Sequence, residues 1–146
     1  MKPKSGFTLI ELMVVTAIIS IIMMIAVPNV IQWVSTQRFN SGVRDIQATI
    51  ESMRLYAAKE NSTATISFTA GANSYVTTKR KRGIGDVNTT THKLPGGITV
   101  SSTMNLVFSN LGTATTFDTV IINGGGGACL RIAVSITGSS QIKNCL

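Results

Sequence analysis

The chain of 146 residues carries a net charge of +7, yet only 13% of its residues are charged and 13 are Gly. That length suits one membrane span and one small soluble domain. One His and two Cys exclude a four-ligand zinc site built without carboxylates, and the positive balance permits an anionic partner without indicating one.

A basic leader, residues 1–6 (MKPKSG), precedes residues 7–27 (FTLIELMVVTAIISIIMMIAV), an apolar run whose single charge is Glu11. About 20 apolar residues cross a bilayer as one helix. A carboxylate inside such a segment costs about 2.5–3.5 kcal/mol on insertion scales, so its first reading is functional. A secretory signal is cut after its apolar region, at small residues. Here the small-residue junction, Ser5-Gly6, lies before the apolar run. A cut there removes Lys2 and Lys4, leaves a new amine on Phe7, and lowers the net charge from +7 to +5 before that amine is counted. The leader lysines belong on the cytoplasmic side. Residues beyond Val27 then face outwards, into the periplasm of a cell with two membranes.

Past Pro28, where a proline is expected to kink or locally melt the helix, Phe39, Val43, Ile46, Ile50, Met53 and Ala57 recur at spacings of four and three. That is a narrow apolar stripe on an amphipathic helix, and it predicts packing against a domain built from later residues. Arg38, Arg44, Asp45, Glu51, Arg54 and Lys59 lie off the stripe. A helix from Phe7 to about Lys59 is roughly 80 Å long at 1.5 Å per residue. The implied organisation is a leader (1–6), a span (7–27), its amphipathic continuation (28–60) and a β-rich domain (61–146).

From Asn61 the period changes to two. TATISFT, SYVTTK, GITVSS, MNLVFS, FDTVIIN, CLRIAVS and SQIKNC read as strands, separated by turn signals such as Gly71-Ala72-Asn73 and Pro95-Gly96-Gly97. The fold class is therefore α+β: one long N-terminal helix packed on an antiparallel sheet system. Residues 80–93 show no pattern and read as a long loop, which holds the one histidine, His92. No spacing pairs His92 with a nucleophile or an acid, so no catalytic triad is expected. Residues 124–127, all Gly, lack the Gly-Lys-Ser/Thr of a phosphate loop and read as a flexible turn.

Two cysteines in an exported domain are expected to pair. Cys129 and Cys145 are symmetric about Thr137, at the turn of the final hairpin. In that register Cys129 faces Cys145, Arg131 faces Lys143 and Ala133 faces Gln141. Leu130, Ile132, Val134 and Ile142 then point to the buried side. Arg131 opposite Lys143 is a like-charge pair, kept for an anionic partner unless a bulge shifts the register.

Lys4-Ser5-Gly6 followed by Phe7-Thr8-Leu9-Ile10-Glu11-Leu12 resembles the class III leader of type IV pilins and type II secretion pseudopilins. The resemblance implies that a prepilin peptidase cuts after Gly6 and methylates the Phe7 amine. It also implies that Glu11 pairs with the N-terminal amine of a neighbouring subunit during assembly. The order LPGGITV, NLVFSNLG, CLRIAVSITG is similar to the soluble domain of the pseudopilin H and FimT-like minor pilins. One departure is plain. Family members often carry Gly-Arg and a further basic residue in the last hairpin, whereas Gly138 is followed by Ser139, Ser140 and Gln141. Whatever the family binds there does not carry over.

The expectation is a structural subunit, not an enzyme, with no cofactor and no metal. It is a minor pilin or pseudopilin of a type II secretion pseudopilus or a type IV pilus, acting in filament initiation, tip assembly and protein secretion. Its expected partners are other pilins through the N-terminal helix, the prepilin peptidase, and inner-membrane lipid before assembly. Its expected location is the bacterial inner membrane with a periplasmic domain, then the filament. The alternative is a nucleic-acid-binding minor pilin for DNA uptake, with Lys79, Arg80, Lys81, Arg82, Arg131 and Lys143 as candidate anion-binding residues. No aromatic residue interleaves with the run at 79–82, so base stacking is not provided there.

Overall fold

The computed structural model describes residues 7–145, except Arg82, Ile84, Asp86 and Phe117. One helix, α1 (Leu9–Lys59), precedes eight strands: β1 (Ala64–Phe68), β2 (Ser74–Arg80), β3 (Val87–Lys93), β4 (Thr99–Val100), β5 (Met104–Phe108), β6 (Thr119–Asn123), β7 (Cys129–Val134) and β8 (Ser140–Asn144). The chain divides into two compact units, Met1–Gln37 and Arg38–Leu146.

In the first unit, every residue of α1 from Leu9 to Val27 is exposed. Residues on both sides of Pro28 are helical, so the local melting expected there is absent. The missing N–H costs one hydrogen bond of the ladder, and the remaining ladder carries the helix through.

In the second unit, the stripe expected from the sequence is the part of α1 that is buried: Phe39, Val43, Ile46, Ile50, Met53 and Ala57, with Gly42 beside them. These side chains belong to one apolar cluster with Ile66, Phe68, Tyr75, Leu106 and Phe108 of one sheet and Val100, Val120, Ile122, Ile132 and Val134 of the other. Gly42 lets the chain approach closely, since a Cβ there would meet the tip of the Ile98 side chain at 2.7 Å and Pro95 at 3.3 Å.

The antiparallel sheet system expected from the sequence consists of two four-stranded sheets, in the orders β3-β2-β1-β5 and β4-β6-β7-β8. Backbone hydrogen bonds join them. Gly71 and Val100 donate to Val100 and Ala72 respectively, and Ala114 and Thr115 donate to Ile136 and Val107. Strand β1 alternates buried and half-buried residues and β6 alternates buried residues with less buried ones, so the period-two reading succeeds there.

The reading of residues 80–93 as a loop is corrected. Val87–Lys93 is strand β3, paired with β2 from Ser74↔Lys93 to Arg80↔Val87. It is an edge strand in which six of seven residues are exposed. With neither face against the core there is no apolar alternation to read. A short 3-10 turn, Gly125–Gly127, forms within the glycine run that reads as a flexible turn.

Side chains off the stripe also fix the domain. Gln47, Glu51 and Arg54 stand one turn apart along α1. The Glu51 carboxylate accepts hydrogen bonds from the Ser140 backbone N–H at 3.1 Å and its hydroxyl at 2.8 Å. Gln47 donates to the Ser140 carbonyl at 3.2 Å, and Arg54 Nε donates to the Gly112 carbonyl at 3.2 Å. The helix thus holds the start of β8 and the turn before Ala114. Gly138 is obligatory here: its φ is +79°, and a Cβ would fall 2.5 Å from the Gly112 oxygen.

The final hairpin has the register read from the sequence, with Arg131↔Lys143 and Ala133↔Gln141 paired. Cys129 and Cys145 form a disulfide with Cα atoms 5.7 Å apart. Ile132 and Val134 are buried, while Leu130 and Ile142 are half-buried against the core. β8 is both the last strand and a sheet edge, a place where chains fray. The disulfide opposes that fraying. Replacing both cysteines by Ala should lower unfolding free energy by about 3 kcal/mol in the chain-entropy model. Denaturant unfolding of the detergent-solubilised chain checks this. Free alkylation of both thiols in unreduced protein from the native compartment would refute the bridge.

Candidate functional site

The N-terminal motif sits where the helix begins. Thr8 precedes α1, and its hydroxyl oxygen accepts the Glu11 backbone N–H at 3.3 Å. That is a helix N-cap contact. Thr8-Leu9-Ile10-Glu11 has the Thr-x-x-Glu order of a capping box. The Glu11 carboxylate lies in the first turn, where the helix dipole favours negative charge. The capping order is visible in these four residues of the sequence, beside the assembly role expected of Glu11. Gly6 lies outside the described residues. Phe7 is 88% exposed and the Glu11 neighbours Ile10 and Leu12 are 71% and 63% exposed. These residues form an exposed apolar surface at the start of α1.

The described cations among those named from the sequence lie in two places. Lys79 and Arg80 are adjacent in β2, so the strand pleat sends them to opposite faces. Lys79 lies with its Nζ 5.2 Å from the centre of the Tyr56 ring on α1, a cation–π contact. Arg80 is exposed, Lys81 follows the strand, and Arg82 lies outside the described residues. Arg131 and Lys143 stand in the other sheet, directly opposite one another. Lys79 and Arg80 thus lie in one sheet, and Arg131 and Lys143 in the other.

His92 is likewise moved from a loop to β3, on the strand pair Tyr75↔His92. Its ring stacks on Tyr75 with centroids 4.9 Å apart and planes 8° apart. Its Nε2 is 3.1 Å from the Thr77 hydroxyl. The Tyr75 hydroxyl lies 2.9 Å from the Thr49 hydroxyl and 3.5 Å from the Asp45 carboxylate, both on α1. His92 therefore caps an aromatic stack, Phe68–Tyr75–His92, that ties the edge of the sheet to the helix. Among the described residues, no three His, Cys, Asp or Glu side chains come together as metal ligands do.

Burial pushes the Tyr75 phenol up from 10.0 to about 12; the Thr49 hydrogen bond opposes the shift and the Asp45 charge adds to it. A raised folded-state pKa stabilises the fold below the unfolded value and loses that stabilisation above it. Stability should therefore fall by roughly 2–3 kcal/mol as pH rises from about 10 to about 12. Tyr75→Phe should flatten this slope relative to the parent, as read from denaturant midpoints at about pH 9 and about pH 11.5. Equal slopes would contradict the assignment.

Residues 1–27 match the family described as the prokaryotic N-terminal methylation motif. The structure is similar to the type IV minor pilin FimU of Pseudomonas aeruginosa in two crystal forms. In one the TM-score is 0.60 at 16% identity, covering 76% of this chain and 92% of that one. In the other it is 0.57 at 17% identity, covering 71% and 91%. No curated protein matches the chain in sequence. At these identities the structural likeness is one of fold. The motif match covers residues 1–27, and the fold is similar to that of a type IV minor pilin.

Proposed function

We propose that this chain is a minor pilin or pseudopilin that is cleaved between Gly6 and Phe7, methylated on Phe7, and built into a filament through its N-terminal helix. The observation that carries the reading is the apolar part of α1. It lies within the matched methylation motif, residues 1–27, and is exposed at every residue from Leu9 to Val27. Such a surface is stable only in lipid or against like helices. Both environments fit one life history: a single span in the inner membrane with the soluble domain in the periplasm, then a place in the filament.

Glu11 supplies the step between the two. In lipid its carboxylate lacks a partner and is costly. The amine freed by cleavage lies four residues away in sequence, so a neighbour displaced along the helix direction brings its amine to this carboxylate. Pairing them removes the penalty only in the assembled state. Likeness to a minor pilin supports a role in initiating the filament or forming its tip, in a type IV pilus or in a type II secretion pseudopilus that moves folded cargo. The cations of β2 stand as a second, weaker basis for nucleic-acid binding, because Lys79 is engaged by Tyr56.

Cleavage is read by intact mass of the membrane-extracted protein. The expected species is residues 7–146 with one added methyl group. Retention of residues 1–6 in cells with an active prepilin peptidase, or loss of the apolar segment, would contradict the reading.

Glu11→Ala separates insertion from assembly. Membrane levels should be unchanged or higher, because an intramembrane charge is gone. Incorporation into sheared filaments should fall roughly tenfold or more, because the neighbouring amine is left without its counter-charge. Normal incorporation of this variant would remove the pairing role.

A further inference from the structure

On the outer face of the β4-β6-β7-β8 sheet, three residues stand in a row across the strands. Ile121 pairs with Arg131 across β6 and β7, and Arg131 pairs with Lys143 across β7 and β8. One step along, on the same face, the Cys129–Cys145 disulfide closes the strand pair. Directly opposed like charges destabilise a strand pair, and among the described residues no carboxylate forms an ion pair with this one. Among the described residues, the one ion pair joins Glu51 to Arg54, which lie on α1.

Arg131 carries a second sign of an absent partner. It is half-buried, and its Nε is shielded from water with no hydrogen-bond partner. A buried donor left in that state is unfavourable. Guanidinium N–H groups form a planar fork that matches a carboxylate. Lys143 is exposed beside it, and Ile121, 37% exposed, adds an apolar contact on its other side.

We infer that this face docks a carboxylate side chain of a neighbouring filament subunit, held by Arg131 and Lys143 and flanked by Ile121. The inference rests on the pilin reading and deepens it by naming a contact outside the N-terminal helix. A protein partner fits better than a nucleic acid for two reasons. A duplex is held by a track of cations along its phosphates, whereas Arg131 and Lys143 are the two cations placed here, with Lys79 and Arg80 in the other sheet. The flanking groups are an exposed Ile and a disulfide, which suit the apolar contact of a protein interface. The disulfide has a part in the site: by pinning β8 to β7 it keeps Lys143 opposite Arg131.

The test uses the full-length chain in its own host, with a photoreactive side chain in place of Ile121. In sheared filaments the otherwise unaltered chain should cross-link to another pilin. The double variant Arg131→Gln/Lys143→Gln should cross-link roughly tenfold less or worse. Its membrane level and its Cys129–Cys145 bridge should be unchanged, which shows that the hairpin still folds. Arg131→Lys, which keeps the charge but loses the fork, should fall between the two. A double variant that cross-links as well as the unaltered chain overturns the inference and leaves the pilin reading standing. Steeply salt-dependent binding of duplex DNA by the detergent-purified full-length chain, lost in the double variant, also overturns it and assigns the face to nucleic acid. Absence of the unaltered chain from filaments sinks the pilin reading itself, and the docking site with it.

Discussion

The second unit depends on one line of side chains along α1. Phe39, Val43, Ile46, Ile50, Met53 and Ala57 are all but removed from water, and each contributes apolar burial that no single sheet could provide alone. Neither four-stranded sheet has a second layer of its own. Each buries one face in the cluster that the helix supplies. The helix is therefore the shared core of two sheets. Its polar flank fixes them in place: Gln47 and Glu51 hold Ser140, and Arg54 holds the Gly112 turn. Loss of the stripe would free both sheets at once.

The same helix sets an opposite problem in the first unit. There the apolar side chains face outwards on all sides, which no monomer in water sustains. This exposed apolar run, with the single carboxylate of Glu11 in its first helical turn, is the feature on which the proposed assembly rests.

Charge on the soluble unit is arranged by the pleat more than by composition. Adjacent cations at 79 and 80 are driven to opposite sides of β2, and one of them is drawn onto the Tyr56 ring. Arg131 and Lys143, twelve residues apart, are brought face to face by the hairpin. The net charge of +7 thus says little about where an anion would bind. Register decides it.

Several features were legible in the residues alone, each resting on a local rule. The apolar run with Glu11, the stripe on α1 and the final hairpin follow from hydropathy length, a period near 3.6 and symmetry about one turn. The pairing of Cys129 with Cys145 follows from that hairpin register. Tertiary structure decided the rest. Strand β3 has no apolar face of its own, so its pairing with β2 was invisible until β2 was placed. Division into two sheets depends on which strands meet, and strand pairing is long-range. His92 gained its place only when Tyr75 came opposite it. The Glu51 clamp depends on Ser140, a partner 89 residues away. Local periodicity fixes which face of an element turns inward; what that face then meets is set by packing across the whole chain.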